Sequence, residues 1–283
     1  MDIAKTQHNM FMEFFASLER LLMIQKPSEK CKAFKDFYTV YQEGKVDFDH
    51  TYDALVFKKP SYSGYCELVS AAIVLKRRKL STDRGKAIFL HAIAHIEYSA
   101  IDLALDAAYR FKNLPEKFYD DWLSVAHDEV RHFEMLEVLL REVDSFYGQL
   151  PVHNLLFDAS CKTQLLHERM AVVPRYLEAN GLDATPMMIT KMQSLTGDSK
   201  AVKIADVLEI ILEEERDHVY KGDVWFKYAC DLEKIDYDVY FDIIENYYPG
   251  SFPRKKDLNV QARQEAGFSC EELRRMNTDV KCN

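Results

Sequence analysis

The chain has 283 residues, of which 48% are hydrophobic and 29% charged, with a formal net charge of -9. That much apolar material supplies a real core and excludes a disordered chain, and nine glycines with eight prolines are too few for the turns of an all-β protein. The acidic balance opposes nucleic-acid binding over the whole surface, which draws on Lys and Arg.

Two short amphipathic helices are expected first, from about Asn9 to Ile24 and from Ser28 to about Tyr41. From Gly44 to Leu80 the pattern is irregular and broken by Lys59-Pro60 and Ser63-Gly64, so this stretch is expected to wrap the rest. A long helix follows from the capping signal Ser81-Thr82-Asp83 to Phe111, and a second runs from Glu116 to about Tyr147 before Gly148 and Pro151. A third is expected from Phe157 to Ala179, kinked at Pro174 and stopped by Asn180-Gly181, with a short helix capped by Thr185-Pro186 after it. The fourth spans about Lys200 to Cys230, and shorter helices follow at 237–248 and 269–276. The expected fold is all-α: N-terminal helices and wrapping segment over 1–80, a four-helix bundle over 81–232, and a C-terminal helical extension over 233–283.

The start Met1-Asp2-Ile3-Ala4-Lys5 does not read as a secretory signal, and no stretch approaches the ~18 consecutive apolar residues of a membrane span, so a cytoplasmic protein without membrane contact is expected. Cys31, Cys66, Cys161, Cys230, Cys270 and Cys282 form no C-x-x-C pair and are expected as reduced thiols. The basic runs Lys76-Arg77-Arg78-Lys79 and Arg254-Lys255-Lys256 read as solvated charges of loops or helix ends.

The informative feature is acid on apolar helix faces. Glu97 lies on the stripe of Leu90, Ile93 and Ile101; Glu129 and His132 interrupt that of Val125, Phe133 and Leu136. Glu168 falls with Leu165 and Val172, and Glu215 and His218 fall with Leu208, Ile211 and Val219. An unpaired buried carboxylate costs several kcal/mol, and metal ions compensate it. Residues i and i+3 share a helix face, so Glu129-x-x-His132 and Glu215-x-x-His218 each direct a carboxylate and an imidazole at one place. One Glu-x-x-His arises about once by chance in a chain of this size. Two, each preceded by a helix with an inward Glu, form the ligand pattern of ferritin-like di-iron and di-manganese bundles.

The expected ligands are therefore Glu97, Glu129, His132, Glu168, Glu215 and His218, holding two metal ions: iron first, with manganese or a mixed Mn/Fe pair as the other fits to carboxylate and imidazole. Asp128 and Glu214 are candidates to accept the free imidazole N–H of the histidine on the facing helix, with an ordinary surface acid as the equal alternative. His91, His95, His127 and His167 are expected in polar packing or support, and Tyr98 and Tyr220 as buried aromatics.

The residues also resemble a bacterial family of the ferritin-like superfamily known only as a domain of unknown function. The likeness rests on His91-Ala-Ile-Ala-His95-Ile-Glu97, Ala100 to Asp106, Phe118 to Trp122, and Asp128-Glu-Val-Arg-His-Phe133. It continues through Val173-Pro-Arg175, Leu177-Glu178, Gly181-Leu-Asp183 and Thr185-Pro186, then His218, Gly222 and Trp225-Phe226. It implies the fold and a metal site, but no substrate. A more distant similarity, in ligand layout alone, is to the tRNA hydroxylase acting on isopentenylated adenosine.

The expected function is an oxygen-dependent oxidoreductase, monooxygenase-like, acting on an organic small molecule with O2 and an electron donor. The alternatives are ferroxidase, iron-handling or peroxide-scavenging activity, and a non-catalytic metal-stabilised binding protein. A tRNA substrate would need the two basic runs to gather into one patch. A monomer or small homo-oligomer is expected.

Overall fold

A computed structural model describes residues 11–254 and 257–282. It is mostly helical: α1 Phe14–Met23, α2 Pro27–Gln42, α3 Asp83–Arg110, α4 Glu116–Glu142, α5 Leu155–Lys162 and α6 Leu166–Val172. A π-helical segment, Val173–Glu178, leads into α7 Ala179–Gln193, followed by α8 Ser199–Glu233, α9 Val239–Tyr247, α10 Val260–Glu265 and α11 Cys270–Met276. The only strands among the described residues are β1 Met12–Glu13 and β2 Val46–Asp47, a parallel pair.

Helices α3 and α8 begin where short polar side chains satisfy their free N–H groups. The Thr82 hydroxyl accepts from Gly85 N–H at 3.1 Å, and the Asp198 carboxylate accepts from Lys200 and Ala201 N–H at 3.1 and 3.0 Å. Helix α4 stops earlier than expected, at Glu142, because Asp144 turns the chain with φ 54°. Helix α8 closes on Lys234 in the left-handed region. Helices α3 and α4 pack along each other, and α8 packs against α4, α6, the π segment and α7.

Helix α3 is buried on nearly every side. It is long and apolar enough by length and composition to cross a membrane, which the sequence reading missed, but 83% of its apolar window is buried inside the fold. That is how the core helix of a soluble protein behaves. Helices α1 and α2 cover α3 and α4 through aromatic contacts such as Phe14 with Tyr119, 5.3 Å between ring centroids. Buried Lys30 ties α2 to the irregular segment and to α3, donating to Ser61 at 2.7 Å and to Asp102.

The third expected helix differs most from its reading. It breaks at Thr163-Gln164-Leu165, where the Arg110 guanidinium at the end of α3 draws off the carbonyls of Ser160 and Thr163 at 2.8 and 3.3 Å. Beyond the break Pro174, lacking an N–H for the α-helical ladder, sits in a π-helical turn. The chain then continues straight through Asn180-Gly181 and Pro186, so neither stops nor starts a helix there.

The π segment is held from two sides. On α8, Gly222 presses on Pro174 so closely that a Cβ would lie 2.4 Å from the Pro174 Cβ. Buried Arg175 donates to Asp223, also on α8, at 2.7 Å, and on the other side to Glu272 at 2.6 Å, where its guanidinium lies 4.5 Å from the Tyr240 ring centre and 4.6 Å from that of Phe268. The C-terminal helices thus fix the segment that α8 faces.

Two further readings are corrected. Cys270 and Cys282 form a disulfide, with Cα atoms 5.9 Å apart, while Cys31, Cys66, Cys161 and Cys230 are free. Arg254 is not a solvated charge: it pairs with Asp183 at 2.7 Å and with Asn180. Its neighbours Lys255 and Lys256 lie outside the described residues, as do residues 1–10.

Candidate metal centre

Five of the six expected ligands meet between α3, α4 and α8. One ligand atom from each of Glu97, Glu129, His132 and Glu215 lies within 4.8 Å of all the others. His218 joins them through Nδ1, 3.1 Å from Glu129 Oε1 and 3.8 Å from Glu215 Oε2. His132 Nδ1 lies 3.3 Å from Glu97 Oε2 and 3.4 Å from Glu129 Oε2. Glu129 therefore stands between the two imidazoles, whose ring centres are 5.9 Å apart. The i, i+3 spacing on α4 and α8 produces this directly, since each pair projects from one helix face toward the other.

Glu168 is not part of the cluster. Because the helix restarts after Leu165, Glu168 lies in the first turn of α6, partly exposed, accepting from Leu165 N–H at 3.4 Å. A helix N-terminus is where a carboxylate is favoured without any metal. Glu178 occupies the inward place instead, at the end of the π segment. Its charge and those of Glu97, Glu129, Glu215 and His218 act on one another. Buried Arg169, paired with Asp106, also acts on Glu178.

Sequence reasoning missed Glu178 because it extended an α-helical stripe across Pro174. A usable signal was present in the spacing. Glu97 precedes Glu129 by 32 positions, Glu178 precedes Glu215 by 37, and Glu168 precedes it by 47. Two matching helix hairpins favour the nearer pair.

The outer nitrogens of the histidines complete a crossed pattern. His132 Nε2, from α4, lies 2.7 Å from Glu214 Oε2 on α8, and His218 Nε2, from α8, lies 3.4 Å from Asp128 Oδ2 on α4. Arg131 bridges the two acids, at 3.2 Å from Asp128 and in contact with Glu214. Each imidazole is thereby turned so that Nδ1 points into the cluster.

The electrostatics are those of a site with too many negative groups for its protons. Burial and the charge of Glu129 push Glu97 up to about 7 and Glu178 up to about 8, and the same causes raise Glu215 well above the usual range. Burial also opposes charge on Glu129, but His132 and His218 outweigh it and hold that carboxyl low. Both histidines are raised despite burial, His132 by Glu129 and Glu97, His218 by Asp128 and Glu129.

A metal fits this donor set. Glu97 Oε2, Glu129 Oε1, Glu178 Oε2, Glu215 Oε2 and His218 Nδ1 are all buried and lack hydrogen bonds, and native proteins rarely leave such atoms alone. Four carboxylates carry the charge that two divalent cations neutralise, and cations bind the deprotonated forms. The donors are oxygen and imidazole nitrogen without thiolate, a set suited to iron or manganese.

The cluster has a closed and an open side. Glu129, His132 and His218 are fully buried, whereas Glu97, Glu178 and Glu215 line a cavity of about 250 Å³ with Ile93, Leu208, Ile211 and other apolar side chains. Catalytic metal sites keep such an open side, and structural ones are closed.

The remaining candidates fall outside. His91 and His95 are buried and bonded to the 147–153 segment, His127 stacks on Tyr38, and His167 bonds Glu233 at 3.0 Å. Tyr98 is buried in contact with Phe133 and Tyr147, whereas Tyr220, expected inside, is exposed.

Fold and site together define an all-α protein with a buried Glu/His cluster opening on a cavity. The chain belongs to the family described as Protein of unknown function (DUF455), whose model matches residues 23–274 and so includes the whole cluster. It is 33% identical over 277 residues to an "Uncharacterized protein" of Haemophilus influenzae, covering 92% of each chain. No solved structure matches it.

Proposed function

We propose that this protein is a ferritin-like di-metal oxidoreductase, using two iron ions, or manganese or a mixed pair, with O2 and an electron donor to hydroxylate or otherwise oxidise an organic small molecule. The observation that carries this reading is the convergence of four carboxylates and two imidazoles beside an apolar cavity, with Glu97 Oε2, Glu129 Oε1, Glu178 Oε2, Glu215 Oε2 and His218 Nδ1 buried and without hydrogen bonds.

The metals would be held by Glu97, Glu129, His132, Glu178, Glu215 and His218, the two oxygens of Glu129 facing different imidazoles. When bound they supply the reduction of O2 and the oxidising power for substrate. The chain's own contribution is to orient the imidazoles through Glu214 and Asp128, and to keep water from the closed side of the site. The apolar walls of the cavity would hold a substrate C–H against the open side.

The cavity favours oxidation of an organic substrate over ferroxidase or peroxide-scavenging activity, which needs room only for ions and O2, and over a metal bound for stability alone. A cytoplasmic location belongs to this reading, supported by the four free cysteines, while the Cys270–Cys282 bridge points the other way. Nucleic acid, tRNA included, is not part of it, because Arg254 is already paired.

The test is loading with Fe²⁺ without oxygen, followed by an O2 pulse. Two irons per chain with O2 consumed supports the reading; iron bound without O2 consumption leaves only the metal-stabilised alternative.

A further inference from the structure

The cavity has a polarity that metal binding does not require. Its lining holds the carboxylates Glu97, Glu178 and Glu215, whose Oε2 atoms are buried, apolar side chains such as Leu103, Leu177 and Met188, and the exposed Arg77. A second cavity of about 210 Å³ is lined by the same Arg77, Ala184 and Met188 and adds Lys191, so the two meet at those residues. The space thus runs from carboxylates, through hydrocarbon, to two cations.

Those cations have no acid of their own. Among the described residues no carboxylate pairs with Arg77 or Lys191, and the Arg77 guanidinium meets Met188 Sδ at 4.0 Å. The Arg77 residue as a whole is exposed, but its guanidinium is partly desolvated where it borders the cavity, which lowers its pKa. Lys76, Arg77, Arg78 and Lys79 are all exposed, as expected of a solvated run, and Arg77 in addition borders the cavity. A guanidinium without a carboxylate partner, bordering an apolar cavity, is suited to an anion attached to something apolar.

We propose that this channel binds an amphiphile, with an anionic head, carboxylate or phosphate ester, on Arg77 and Lys191 and an apolar chain running inward to Glu97, Glu178 and Glu215. This rests on the preceding reading only for what happens to the inner end of the chain. The orientation follows from charge: a head placed inward would meet three carboxylates, and a chain placed outward would leave both cations unmatched. The oxidised position would then lie far from the head, along the hydrocarbon.

Calorimetric titration of the metal-free full chain with decanoate, decyl phosphate and decanol tests this. Both anions are expected to bind at least tenfold more tightly than decanol, and the tighter of the two identifies the head. Arg77→Gln with Lys191→Gln should cost the anions about tenfold or more, as loss of charge-assisted hydrogen bonds does, and leave decanol unchanged. Leu208→Trp, with helix content checked by circular dichroism, should abolish all three by filling the apolar stretch.

Equal binding of decanol and decanoate, no binding of any probe, or anion affinity unmoved by the double substitution overturns the proposal. Fe²⁺ binding, measured without oxygen on separate samples of the same proteins, separates the two readings. Iron bound with no amphiphile bound removes this inference and leaves the di-metal reading standing; amphiphile bound without iron does the reverse.

Discussion

His132 on α4 and Glu214 on α8 face each other with Nε2 and Oε2 2.7 Å apart, and the mirror contact joins His218 on α8 to Asp128 on α4 at 3.4 Å. Each helix thus aims the other's histidine. Removing either acid frees an imidazole to rotate without removing a ligand atom, so Glu214→Gln and Asp128→Asn should weaken iron binding by about 10–100-fold with the helix content unchanged. Competition with a chelator of known affinity measures it, and an unchanged affinity in both variants would show that the crossed pairs do not orient the ligands.

The two glutamates of the α6–α7 rod should behave oppositely. Glu178→Gln is expected to lower bound metal from two ions per chain to at most one, whereas Glu168→Gln should leave two. Without metal, Glu178→Gln should be no less stable than the parent protein, because it removes a buried carboxyl oxygen that has no hydrogen bond. Elemental analysis and thermal unfolding of the metal-free proteins decide this; loss of metal in Glu168→Gln alone would restore the sequence-based ligand.

Gly222 is a test of the π segment. Alanine would gain about 1 kcal/mol of helix propensity at an ordinary helical site. Here the Cβ meets Pro174, so Gly222→Ala is expected to destabilise by about 1–3 kcal/mol and to lower metal affinity, since the displaced segment carries Glu178. Urea unfolding and chelator competition on one preparation would show whether the two losses occur together. A more stable variant with full affinity would mean that the contact is slack.

His91 and His95 predict acid sensitivity apart from the metal site. His91 Nε2 accepts from Gly148 and Leu150 N–H at 3.0 and 3.3 Å, and His95 bonds Tyr147 and the His153 carbonyl at 3.0 and 2.7 Å. Burial lowers both to about 4 from an ordinary 6.5. Below pH 6.5 the unfolded chain takes up protons that the folded chain refuses, so their contribution is complete above 6.5 and is lost as pH falls toward 4. The loss is on the order of 3 kcal/mol for each as an upper bound. Urea midpoints at pH 7, 5.5 and 4.5 should fall, and His91→Gln should make the fall shallower; the same slope in that variant would contradict the assignment.

Where the physics is local, the sequence was readable. Thr82 and Asp83 mark the start of α3, and the i, i+3 pairs on α4 and α8 place four expected ligands together, because one regular helix carries each pair. What was not readable depended on contacts distant in sequence. The break before Leu166 comes from Arg110 on α3, and the π-helical turn at Pro174 is held by Gly222 on α8 and by Arg175 with Asp223 and Glu272. Together these move the inward carboxylate from Glu168 to Glu178. The cation pair Arg77 and Lys191 was equally hidden, because two residues far apart in the chain border one cavity.

The most direct test of the central claim is the number of Fe²⁺ ions bound per chain without oxygen, followed by the visible absorption after an O2 pulse. The account predicts two irons, O2 consumption and a transient oxidised species, all lost in Glu129→Ala and His218→Ala while most of the helix remains. Failure to bind iron, or full occupancy in both variants, would contradict it.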